Sequence, residues 1–143
     1  MQVSPSLSFK GQCEEAFTFY QQCLGGTLGP LFRYTGSPFA DQAPPGWDEK
    51  IMHGSMTIGD LMLMGADITP AKYEEPKGFS LSVQIKSVDD AERIFHGLAE
   101  GGVIVMPLEK TFWAERFGIV SDRFGIPWLI NCEGAAADQA PVT

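Results

Sequence analysis

The chain repeats itself. Residues 3–65 and 79–133 each read as a strand, an amphipathic helix, a Gly-Gly exit and several further strands. Cys13, Ala16, Tyr20 and Cys23 mark one helical face in the first half. Val88, Ala91, Phe95 and Leu98 restate that spacing 75 residues later. Gly25-Gly26 and Gly101-Gly102 then close the two helices, where a residue without a Cβ can take the left-handed conformation. Two half-sheets, each carrying one helix, predict a pair of curved modules side by side, and the cleft between them is the expected place for a small-molecule site.

The other limits come from size and charge. A chain of 143 residues with 44% hydrophobic content can bury one domain, or two small modules that share a core. Its formal charge of −8 repels phosphate backbones and anionic lipid, so neither nucleic acid nor a membrane surface is expected as a partner. No apolar run approaches the roughly 20 residues that span a bilayer, and Met1-Gln2-Val3-Ser4-Pro5 has no basic, apolar leader pattern. The expected localisation is cytoplasmic. Cys13, Cys23 and Cys132 show no C-x-x-C spacing. On one helix Cys13 and Cys23 would stand roughly 15 Å apart, beyond disulfide reach, and the three read as reduced thiols packed as small hydrophobes.

Alternation of period two runs through the predicted strands. Val3, Leu7 and Phe9 oppose Ser4, Ser6 and Ser8; Phe79, Leu81, Val83 and Ile85 oppose Ser80, Ser82 and Gln84. In residues 51–58, Ile51, His53, Ser55 and Thr57 oppose Met52, Gly54, Met56 and Ile58, and Gly59-Asp60 forms a hairpin turn into Leu61-Met62-Leu63-Met64. Further strands are expected near Thr27–Thr35, Val103–Leu108, Phe117–Ser121 and Pro127–Cys132. Ser87 with Asp90 three residues on has the pattern of a capping box that opens the second helix. A Pro/Gly-rich loop from Gly36 to Trp47 is either a lid or a solvated insertion. Residues 66–78 are the expected linker, and residues 134–143, without periodicity, an expected flexible tail.

If the apolar strand faces pack on the helices, the small neutral residues look the other way. They either line a cleft or meet solvent. The cleft reading nominates Ser6, Ser8, Ser55, Met64, Ser80 and Ser82 as ligand-binding residues, with Trp113 and Arg116 closing the site by stacking and ion pairing. His53 is the candidate general base, on the polar face beside Ser55 and Thr57. His96 falls on the exposed side of the second helix. No Gly-rich loop follows the first strand, so nucleotide-type cofactor binding has no residues to support it.

The segment Glu15-Ala16-Phe17-Thr18-Phe19-Tyr20 before Leu24-Gly25-Gly26 is one family signature. Thr111-Phe112-Trp113-Ala114 followed by Asp122-Arg123-Phe124-Gly125-Ile126-Pro127-Trp128 is another. Together they resemble the PhnB-like branch of the glyoxalase/bleomycin resistance (vicinal oxygen chelate) superfamily, from Pro5 to Asn131. The resemblance implies an α+β fold of two β-α-β-β-β modules in one domain, residues 1–133. Their curved mixed sheets enclose a pocket, commonly in a homodimer. It also implies a metal site in some members, with His or Glu from the first and last strands of each module. Alignment of the strands puts Ser4, Met62 or Met64, Gly78 and Leu129 there, none a credible ligand for a divalent cation, so neither a metal nor another cofactor is expected. Two function classes follow: a protein that binds a small organic molecule, or a lyase, isomerase or hydrolase using His53 or a metal on non-standard ligands.

Overall fold

The computed structural model describes residues 1–134, which form two compact units, 1–75 and 76 onward. Residues 135–143 of the expected tail lie outside the described residues. The first unit runs β1 (Ser6–Phe9), α1 (Cys13–Leu24), β2 (Thr27–Arg33), a short 3-10 turn (Ala40–Gln42), β3 (Ile51–Ile58) and β4 (Leu61–Asp67). The second runs β5 (Leu81–Ile85), α2 (Val88–Ala99), β6 (Val103–Glu109), β7 (Arg116–Ser121) and β8 (Pro127–Cys132). The strand orders, β1-β4-β3-β2 and β5-β8-β7-β6, are the same permutation. Each sheet is mixed, with one parallel pair and two antiparallel pairs. The fold is the predicted α+β pair of β-α-β-β-β units.

In the first unit α1 covers one sheet face. Phe17 stands edge-on to Phe9 at 6.0 Å, and Cys13, Ala16, Tyr20, Met56 and Leu63 are buried around them. The space under Phe17 exists because β4 carries Gly65: a Cβ there would sit 2.8 Å from the Phe17 ring. The second unit repeats the device, with Phe95 of α2 over Gly118 of β7, where a Cβ would fall 2.7 Å from the ring. Ala91, Leu98, Val120, Trp128 and Ile130 complete that core. Ser87 caps α2 as expected, its hydroxyl accepting from the Asp90 amide at 3.3 Å.

Four sequence expectations need correction. β1 begins at Ser6 and β5 at Leu81, so Val3, Ser4, Gly78, Phe79 and Ser80 precede the strands rather than open them. β2 ends at Arg33, two residues short of Thr35. β4 runs on to Asp67, into the expected linker, because its end is held from outside the strand: Asp67 Oδ1 accepts from the amides of Gly11 and Cys13, and Oδ2 from that of Ile51. The register also shifts between Phe32–His53 and Arg33–Ile51. This bulge turns Ile51 onto the helix side, 3.3 Å from where a Gly54 Cβ would be, instead of beside His53.

The Asp67 carboxylate is buried and joins the start of α1 to two strands. Replacing it by Asn puts an amide donor against the Ile51 N–H. Asp67→Asn should therefore cost about 3 kcal/mol, read as a shift of the urea midpoint at pH 7.

Candidate functional site

The sheet face away from each helix carries the small polar residues. In the first unit Ser6 pairs with Met64 and Met64 with Ser55, one row across β1, β4 and β3. Gly29 of β2 continues the row, since a Cβ there would meet the Ser55 hydroxyl at 2.5 Å. Ser8 lies beside Ala66 in the same sheet. His53 is exposed and stacks on Phe32, centroids 6.3 Å apart and planes 26° from parallel. Among the described residues no side chain hydrogen-bonds its imidazole, so nothing there sets its tautomer as an orienting partner of a general base would.

The second unit has a more constructed face. Gln84 of β5 donates from Nε2 to the Ser82 hydroxyl at 2.8 Å, and its Oε1 accepts from Asn131 Nδ2 of β8, also at 2.8 Å. Asn131 is only 7% exposed, and its Oδ1 has no hydrogen-bond partner among the described residues. A buried carbonyl left this way costs on the order of 1–3 kcal/mol, so the acceptor calls for a donor. Phe117 is the neighbour of Asn131 on β7. Trp113 meets Phe117 edge-on at 5.1 Å and Phe112 at 4.8 Å. The turn that presents Trp113 is tied by the Thr111 hydroxyl, which accepts from the amides of Trp113 and Ala114. Gln84 also borders a hollow of about 660 Å³ with Ile85, Lys86, Glu133 and Gly134.

This geometry sorts the expected site residues. Ser6, Ser8, Ser55 and Met64 share one face of the first unit; Ser82 and Trp113 share one face of the second. Ser80 precedes β5. Arg116 is on the helix side of β7: its Nε donates to Glu92 of α2 at 3.0 Å, and it stands apart from Trp113 and Phe117. Asn131 is the residue that sequence reasoning passed over. Its one signal is an amide in the apolar run from Trp128 to Cys132.

Residues 7–130 match the Glyoxalase/Bleomycin resistance protein/Dioxygenase superfamily. The chain belongs to this superfamily. It is 36% identical over 139 residues to protein YjdN of Escherichia coli, an alignment covering 92% of this chain and 95% of that one. The crystal structure of PA1353 from Pseudomonas aeruginosa matches with 47% identity and a TM-score of 0.84, over 94% of this chain and 98% of the other. A PhnB protein from Bacillus cereus matches with 25% identity and a TM-score of 0.79, covering 92% and 99%.

The metal chemistry implied by the resemblance does not fit the residues present. On the observed register the first and last strands turn Ser6, Ser8, Met62, Met64, Ser82, Gln84, Leu129 and Asn131 away from the helices. None is a carboxylate or an imidazole, the donors that hold a hard or borderline divalent ion. Among the described residues no three His, Cys, Asp or Glu side chains converge anywhere. Cys13 offers no substitute, since burial first, then the charges of Asp67 and Glu14, push its thiol far above the ordinary range.

Arg116 thus ties sheet to helix. Its hydrogen bond, foremost among the causes, holds the Glu92 carboxyl below its ordinary range. A carboxyl depressed in the folded state stabilises above its unfolded pKa, and that contribution disappears as pH falls through the folded value. Glu92→Gln should therefore lower stability at pH 7 by at most about 1 kcal/mol, the pair being partly exposed. At pH 3 the difference should shrink, as urea midpoints at the two pH values would show.

Proposed function

We propose that this chain is a small-molecule-binding protein of the PhnB-like type, taking an organic ligand without a metal. The observation that carries the reading is the Ser82–Gln84–Asn131 chain beside Phe117 and Trp113. Its hydrogen bonds fix each amide, and it ends in a buried acceptor with no partner among the described residues. A ligand matched to it has a flat or apolar body against the aromatic pair and an N–H or O–H donor for Asn131 Oδ1. An enzyme built on His53 has less support, because among the described residues the imidazole has a stacking neighbour and no side-chain hydrogen-bond partner.

A homodimer belongs to the same reading. β6 is an edge strand whose Val103, Ile104, Val105 and Met106 are all exposed, Val103 at 64%. Native proteins rarely leave such an edge bare. Val103→Glu should convert a dimer to monomer by light scattering, and a wild-type monomer would remove this part of the proposal.

The binding claim is tested by a thermal-shift screen over metabolites and antibiotics. A ligand at a hundred times its Kd adds about 2.7 kcal/mol, a rise of several degrees in Tm. For a compound that protects, Trp113→Ala should weaken affinity about tenfold with the free protein's Tm unchanged, since Trp113 is partly exposed. Unchanged affinity in Trp113→Ala, or a screen without a protecting compound, defeats the reading. Micromolar Zn, Ni or Mn should leave Tm unaltered; a rise of several degrees reversed by chelator would overturn the metal-free part.

A further inference from the structure

The first unit holds a second cavity, of about 350 Å³, under the Pro/Gly-rich loop between β2 and β3. The loop is tied at its base. Tyr34 and Thr35 donate to the carbonyls of Lys50 and Asp48 at 3.1 and 3.0 Å, prolonging the β2–β3 pairing. Trp47 is buried and packs edge-on against Tyr34 at 5.8 Å, and the Tyr34 hydroxyl donates to the Asp67 carbonyl at 2.8 Å. Anchored this way, the loop carries Phe39, Gln42 and Ala43 to the segment after β4, where Ile68, Thr69 and Lys72 stand. The bulge in β3 brings Met52 to the same space.

The lining is divided by chemistry. Phe39, Met52 and Ile68 make an apolar wall; Gln42, Thr69 and Lys72 provide an amide, a hydroxyl and an ammonium, all able to donate. In a chain of net charge −8, no lining residue is acidic. Among the described residues the Lys72 ammonium has no carboxylate partner, as holds for the other lysines, so the charge that reaches this cavity is not already neutralised by an ion pair. A volume near the lower end of the roughly 300–1,000 Å³ of ligand pockets suits a body of one or two rings.

We propose that this cavity is an anion site for a small aromatic carboxylate. The ring lies against Phe39, Met52 and Ile68, and the carboxylate meets Lys72 with Thr69 and Gln42 as further donors. The site shares no residue with the Asn131 face, and the proposal does not depend on that face.

The probe is 2-naphthoate, titrated by calorimetry into the wild-type chain at low salt, with 2-naphthylmethanol as its uncharged counterpart. We expect one site per chain, weaker binding of the alcohol, and loss of affinity at high salt as the ion pair is screened. Lys72→Gln, at an exposed position, should fold normally by circular dichroism and weaken 2-naphthoate about tenfold without affecting the alcohol. Met52→Trp, which fills the cavity, should abolish both. Trp113→Ala should leave 2-naphthoate binding intact. The proposal is overturned if the wild type does not bind 2-naphthoate, if Lys72→Gln binds it equally well, or if Trp113→Ala removes the binding.

Discussion

A single buried carboxylate organises the first unit. Asp67 closes β4, and its two oxygens gather three backbone amides from places that the chain does not bring together locally: Gly11 and Cys13 at the entrance to α1, and Ile51 at the start of β3. Gln12, the residue before α1, provides no side-chain cap, so Asp67 replaces one from 55 residues away. Its own carbonyl receives the Tyr34 hydroxyl, and through Tyr34 it supports Trp47 and the loop over the cavity. A buried carboxylate is tolerated where both oxygens have donors, and here those donors also set helix position and strand register.

The second unit has a counterpart with a different reach. Asp122 accepts from the amides of Phe124 and Ile126, and its other oxygen receives Trp128 Nε1 at 2.8 Å. These contacts close the β7–β8 turn and fix the indole on the helix side of the sheet. The two halves share topology and the aromatic-over-glycine packing of Phe17 and Phe95, yet place their buried carboxylates differently. That divergence extends to the open faces: a row of Ser6, Met64 and Ser55 in one, an amide chain whose last acceptor has no partner among the described residues in the other.

Helix-side cations show how residue type misleads about role. Arg116 looks like a ligand-binding charge beside an aromatic segment, yet it turns back to a helix carboxylate, Glu92, as Arg33 of the first unit does to Glu14. Parity along the strand decides this. Arg116 shares its face with Gly118 and Val120 under α2, whereas Phe117 shares its face with the Asn131 neighbour across the ladder.

The sequence by itself determined the repeat, the two helices, most strand limits and the helix-facing residues, because each depends on a period of 2 or 3.6 written into consecutive positions. It also exposed the serine faces, since these are a matter of residue type at known parity. Tertiary structure decided the rest. The bulge that turns Ile51 inward, the extension of β4 to Asp67, the partnering of Arg116 and the orphaned Asn131 carbonyl all depend on groups distant in sequence meeting across strands. No local pattern encodes them, because hydrogen-bond satisfaction is a property of the assembled neighbours and not of the segment that carries the group.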